Sequence, residues 1–270
     1  TKGLRATIRC SKLTTYRKTN VEARYSGRIV GKMAFGNCWN RYSVNSNRMV
    51  LGFGGTMSYQ TALTVKEAIN DIDAKRYLLP SIQREFVWST VQIEQLFDSL
   101  MQGYPINAFL FWKVPKEKTS DFQFYEFLRD YHQHSNRHNV KANTNGAGDI
   151  MAVLDGQQRL TSLYIGLKGS YSYKMPHRRI GRAESYPHRR MYLNILKPSN
   201  DSGKRYQFYF LTEAQAENHT EDALWFEVGK ILNFNAVYEV SQYLADLGLA
   251  PIPGQPLTEE MKFASEALQQ

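Results

Sequence analysis

Cysteine is nearly absent from this chain. Cys10 and Cys38 are the only two in 270 residues, and none follows Met57. A disulfide scaffold is therefore excluded beyond that point, and the usage fits a reducing cytoplasm, the expected location. Long hydrophobic runs are missing too. No stretch approaches the ~18 apolar residues of a membrane span, so no membrane partner is expected. No compact apolar segment follows the first basic residues, so no signal peptide is evident. The chain also lacks a Walker-type Gly-Lys-Ser/Thr loop, a Ser-His-Asp order and a His-Asn-His pairing.

Acidic residues are scarce in one region only. Of 34 Lys and Arg and 25 Asp and Glu, eleven basic residues and a single acid, Glu22, fall in residues 1–56. The rest of the chain keeps 23 and 24, a net −1, so the formal +9 is a property of the N-terminal segment. Residues 1–56 are rich in Arg, Asn, Gly and Ser and show no sustained helical or strand period. They read as a basic disordered arm for nucleic acid, a small folded module, or sequence foreign to the protein with Met57 as its natural start. The last is preferred, because consistent local signals begin only after Met57. The division is thus 1–56, atypical and basic, and 57–270, one domain that extends to the C-terminus and is open to truncation there.

After Met57 the elements are legible. Thr64 and Glu67 form a capping box before a helix through about Ile72, and Tyr77–Leu79 reads as a strand stopped by Pro80. Ser89, with Gln92 three residues on, opens a helix whose Ile93, Leu96, Phe97 and Leu100 share a face and which ends at Gly103. Ala108–Val114 reads as a strand, Phe122–Tyr131 is ambiguous, and Ser135–Asp149 reads as a flexible loop. Ile150–Leu154 is a short buried strand and Leu160–Leu167 a helix. Met191–Leu196 and Tyr206–Leu211 make a hairpin, Trp225–Val228 a short strand, and Tyr238–Leu247 and Thr258–Leu268 two further helices.

Between the Ile150 strand and its helix lies Asp155-Gly156-Gln157-Gln158-Arg159. A strand-to-helix turn suits an anion, because the first N–H groups of a helix point outward unpaired. A polar turn that merely caps the helix has equal standing on spacing alone. Gln83-Arg84-Glu85-Phe86-Val87-Trp88 also follows a strand and precedes a helix. Two such turns can converge on one anion, with Arg84 and Arg159 as phosphate clamps, since the guanidinium fork matches phosphate oxygens. Asp155 or Glu85 would position water or a divalent cation. Trp88 stacks on a base or, on the simpler reading, packs in the core.

Ten basic residues crowd Lys168–Arg205, among them Arg178, Arg179, Arg182, Arg189 and Arg190, with tyrosines interleaved and only Glu184 and Asp201 opposing. That mixture suits a DNA surface, although a solvated loop explains it as well. His132, His134 and His138 are spaced like metal ligands, but no cysteine or acid pair supports them and no zinc site is expected.

Tyr77–Trp88, the helix end Asp98–Ile106 and Val153–Thr161, in this order and spacing, resemble the N-terminal domain of the GmrSD-type restriction endonucleases. The resemblance runs from about Met57 to the C-terminus. It implies an α+β, ParB/sulfiredoxin-like fold, with a small mixed sheet flanked by helices and a helical C-terminal extension. It also implies a site that binds and hydrolyses an NTP (GTP, UTP or CTP, not distinguished) with Mg2+. Asp155, Gln158 and Arg159 would be catalytic there, Gln83, Arg84, Gly156 and Gln157 would hold the nucleotide, and Asp155 would hold the metal. Members look like modification-dependent restriction or phage-defence proteins, so modified DNA, an HNH-type nuclease domain or subunit, and an oligomer are the implied partners. No His-Asn-His signature precedes Gln270. The rival readings are a DNA-binding module using residues 168–205 and a metal-dependent nuclease with Asp155 and Glu85 as ligands.

Overall fold

The order of five paired strands brings the two polar segments together. The computed structural model describes residues 29–34, 63–250 and 256–269. Strands β1 (Ile29–Ala34), β2 (Tyr77–Pro80), β3 (Ala108–Val114), β4 (Phe124–Tyr125) and β6 (Ile150–Asp155) form a sheet of order β1-β3-β6-β2-β4. Only β2 and β6 run parallel, with Tyr77 opposite Met151 and Leu78 opposite Ala152. The other pairs are antiparallel. Parallel pairing sends the C-terminal ends of β2 and β6 to the same edge, so the chain after Pro80 and the chain after Asp155 leave side by side. That edge is where mixed sheets usually bind ligands.

Alternation along the strands buries both faces. Tyr77, Leu79, Phe109, Phe111 and Val153 face the main core. Leu78, Val114, Phe124, Ile150 and Ala152 face a smaller cluster closed by Phe122, Ala142 and Ala147. The Ser135–Asp149 segment is irregular, as expected, and supplies two of those closing residues.

The helices follow their sequence signals. In α1 (Val65–Asp73) and α2 (Thr90–Met101) both reciprocal bonds of the capping box are present, Thr64 with Glu67 and Ser89 with Gln92. Such a cap contributes about 1 kcal/mol. Helix α3 (Gln157–Lys168) packs against α1 and α2 and is buried on most sides, with Leu160, Leu163 and Ile165 fully buried. At Gly166 a Cβ would meet the Phe97 ring at 2.6 Å, so only glycine permits this approach of α2 to α3. Strand β5 (Asp130–His132) pairs in parallel with β7 (Ser170–Ser172), which resolves the ambiguous Phe122–Tyr131 stretch into two short strands, β4 and β5.

The expected hairpin is β8 (Arg190–Asn194) with β9 (Phe208–Leu211), joined on its other side by β10 (Trp225–Glu227). A one-turn α4 (Glu213–Ala216) follows β9, and α5 (Val237–Asp246) and α6 (Glu259–Gln269) pack on each other at the C-terminal end. The architecture is α+β with mixed sheets, flanking helices and a helical C-terminal extension. Most of residues 1–56 lies outside the described residues. Within that segment, β1 pairs with the edge of β3, a strand its unperiodic sequence does not announce. No helix among the described residues is long and apolar enough to cross a membrane.

Candidate nucleotide-binding cleft

The two polar segments meet because β2 and β6 are parallel neighbours, and four amide hydrogen bonds clasp them. Gln83 Nε2 donates to the Leu154 carbonyl at 3.0 Å. Gln157 Nε2 donates to the Arg84 carbonyl at 2.6 Å, and Gln158 Nε2 to the Glu85 carbonyl at 2.9 Å. Gln158 Oε1 in turn accepts from the Val87 N–H at 3.0 Å. Glutamine suits this task because one amide both donates and accepts, as an irregular backbone segment requires. A cleft of about 470 Å3 opens between the segments, lined by Gln83, Arg84, Asp155 to Arg159, and also Ile82 and Trp88. Its volume is in the usual range for small-molecule sites.

Helix α3 begins three residues earlier than its apolar pattern indicates. Gly156 is the N-cap, with φ +90°, and no side chain caps the helix. The Asp155 carboxylate instead takes the Gly156 N–H at 2.8 Å. Gln157, Gln158 and Arg159 are thus the first helical residues, and their N–H groups precede the first intrahelical bond, Leu160 N–H to Gly156 C=O at 3.0 Å. Polar residues at the buried start of a helix carry no apolar period, so the pattern hides this turn. Tertiary hydrogen bonds hold it.

The charged residues divide sharply. Arg84 is exposed, and its guanidinium has no partner among the described residues. The Asp155 side chain is 73% exposed and lies 3.8 Å from Arg159. Arg159 itself is 15% exposed. It donates to the carbonyls of Ile106 at 2.5 Å and Ala108 at 3.0 Å, and its guanidinium stacks 4.6 Å from the centre of the Phe109 ring. Burial pulls its pKa below the ordinary guanidinium value, and nearby Asp155 opposes that shift. Gly156 has its own constraint: a Cβ there would sit 2.3 Å from Phe109 Cδ1.

The two glutamines also differ. Both ends of the Gln158 amide are bonded. Gln157, 6% exposed, has its Nε2 on Arg84 while its Oε1 is buried without a partner. An unmatched buried acceptor costs about 1–3 kcal/mol and signals a missing donor.

Trp88 is half-buried, packs against the core and still reaches the cleft wall. Glu85 is exposed and pairs with His138 Nδ1 at 2.7 Å, while His132 and His134 lie against the Tyr186 ring. No group of three His, Cys, Asp or Glu able to hold a metal occurs among the described residues. Sequence reasoning missed Ile82, an isoleucine 71% exposed beside Gln83 and Arg84, and the carbonyls that receive Arg159, which no residue pattern encodes.

The basic cluster proves heterogeneous. Arg189, expected on a DNA surface, turns inward instead: it is 6% exposed, bonds the carbonyls of Tyr173 and Pro187 and stacks 3.9 Å from the Tyr173 ring centre. Arg190 pairs with Glu227 at 2.6 Å. Arg178, Arg179 and Arg182 remain exposed.

These features define an α+β domain with a polar cleft at the C-terminal ends of two parallel strands. Residues 65–246 match the family described as GmrSD restriction endonuclease, N-terminal domain, and the chain belongs to that family. An uncharacterized protein of Methanocaldococcus jannaschii is 34% identical over 98 residues, which cover 36% of this chain and 15% of that relative's length.

Proposed function

We propose that the cleft binds a nucleoside triphosphate with Mg2+ and hydrolyses it, as the sensor domain of a modification-dependent DNA restriction or phage-defence system. The observation that carries this reading is the convergence of an uncapped α3 N-terminus, the unpartnered Arg84 guanidinium and the exposed Asp155 carboxylate on one cleft. A helix N-terminus favours phosphate through its free N–H groups and dipole. Arg84 adds a guanidinium fork. Water attacks the terminal phosphorus: the new P–O bond forms, the bridging P–O bond breaks, a nucleoside diphosphate leaves, and the proton passes to Asp155 or solvent.

Asp155 is one exposed carboxylate beside the phosphate site. That donor set fits Mg2+, which binds through one or two carboxylates plus substrate phosphates and not in an all-protein cage. Bound there, the cation would neutralise charge on the phosphates. Gln158 and Arg159 act as framework in this reading, and Gly156 provides the turn.

The fold is inferred to be ParB/sulfiredoxin-like, and the protein to work in the cytoplasm with an HNH-type nuclease domain or subunit. The test is phosphate release from GTP, UTP, CTP and ATP with Mg2+, with and without modified DNA. Activity on at least one nucleotide, lost in Arg84→Ala and Asp155→Ala, is expected. Absence of both binding and hydrolysis for all four refutes the proposal.

A further inference from the structure

A second feature, independent of the nucleotide reading, lies in the loop between β7 and β8. Of the ten basic residues in Lys168–Arg205, seven are committed elsewhere. Lys168 pairs with Asp73, Arg190 with Glu227, Lys197 with Asp222, Lys204 with Asp201 and Arg205 with Glu266. Lys174 donates to backbone carbonyls and Arg189 is buried. Arg178, Arg179 and Arg182 are left, exposed and without side-chain partners among the described residues. Glu184 is the one acid of the Lys174–His188 loop.

The loop is pre-organised, unlike a solvated charge run. Ser185, 2% exposed, donates its hydroxyl to the Arg179 carbonyl at 2.7 Å, and its carbonyl accepts from the Met175 N–H at 2.8 Å. Lys174 Nζ donates to the Arg178 carbonyl at 3.1 Å. Arg189 joins the two ends of the loop by bonding Tyr173 and Pro187. The backbone turns at His177 (φ +59°) and Gly181 (φ +82°), and Ile180 between them is 73% exposed. A loop closed by its own buried side chains loses little entropy on docking.

We infer that the Lys174–His188 loop docks on duplex DNA, with Arg178, Arg179 and Arg182 on backbone phosphates and Ile180 entering a groove. Three exposed arginines within two residues of one exposed isoleucine match how DNA-binding loops combine phosphate neutralisation with an apolar wedge. An acidic protein surface would satisfy the charges but would leave Ile180 without a role.

The experiment measures anisotropy of a labelled DNA duplex with the full chain, from 50 to 200 mM salt. Three phosphate contacts contribute a log–log slope of about −2.7, so they alone cost about 40-fold in affinity across that range. The triple variant Arg178→Ala, Arg179→Ala, Arg182→Ala should flatten the slope by that amount, with an unchanged melting temperature. The triple Arg→Lys variant should restore most of the slope, and Ile180→Ala should weaken binding without changing it. The inference is overturned if the duplex is not bound at 50 mM salt or if the triple Ala variant binds like the wild type. Capture of polyglutamate or duplex RNA in preference to DNA overturns it too.

Discussion

Arg159 separates two roles that a guanidinium in a polar cleft can play. Its two hydrogen bonds to Ile106 and Ala108 and its stacking on Phe109 make it a strut between α3 and the start of β3. Arg159→Ala removes two charge-assisted bonds and leaves two carbonyls unsatisfied, at about 1–3 kcal/mol each. The lost cation–π contact adds about 1 kcal/mol. A total of roughly 3–7 kcal/mol follows if these contributions add, a large share of a typical folding free energy. Arg159→Lys should recover only part, since an ammonium does not reproduce the planar fork. Urea unfolding with a two-state fit gives the number. A loss under about 1 kcal/mol, together with abolished nucleotide binding, would refute the strut and make Arg159 a direct phosphate ligand.

Four further outcomes follow from the same geometry. Gly156→Ala forces a Cβ into Phe109 at φ +90° and should destabilise by about 2–4 kcal/mol in urea unfolding. Arg84→Ala, at an exposed guanidinium, should leave stability within about 0.5 kcal/mol while weakening nucleotide binding at least about tenfold, read by titration calorimetry. Gln158→Ala should cost more stability than Gln157→Ala, because only Gln158 has both amide ends bonded; equal losses in denaturant would contradict the division between the two. Burial pushes the Glu94 carboxyl up to about 7, against a hydrogen bond from the Phe210 backbone and the charge of Lys204. Its folded pKa exceeds its unfolded one, so its contribution is full below about pH 4.5 and lost as pH rises through about 7. Glu94→Gln should therefore raise stability at pH 8 and not at pH 4.5, by on the order of 3 kcal/mol, read as a higher melting temperature.

Much of the local structure was legible because its causes are local. The capping boxes at Thr64 and Ser89 sit where their hydroxyl and Glu or Gln partners predict, since a cap needs only residues three apart. The strands Tyr77–Pro80, Ala108–Val114 and Ile150–Asp155 are apolar runs bounded by breakers. The start of α3 was misread for the opposite reason. Gln157 and Gln158 are buried polar side chains whose partners lie 73 residues away, so no window of sequence contains the bonds that hold them. The short strands β5 and β7 escaped notice likewise, because each is defined by pairing with the other.

The basic cluster shows the same limit in its charges. Composition alone treats Arg178 and Arg189 alike, yet Arg178 faces solvent and Arg189 lies under the loop against Tyr173. Which arginine is free depends on the carbonyls and acids that the fold brings to it.

By itself the sequence determined the α+β composition, the helix caps, the main strands and the two polar segments whose order resembles one family. Each of these rests on neighbours in the chain. Only the tertiary structure decided what those segments do to each other. Parallel pairing of β2 and β6 brings Gln83–Trp88 against Asp155–Arg159, spends Gln158 and Arg159 on backbone carbonyls, and leaves Arg84 and Asp155 exposed at the cleft and Gln157 Oε1 buried without a partner among the described residues. The physical reason is that a buried polar group must find a partner. Where that partner is distant in sequence, the fold settles which side chains build the cleft and which remain to act in it.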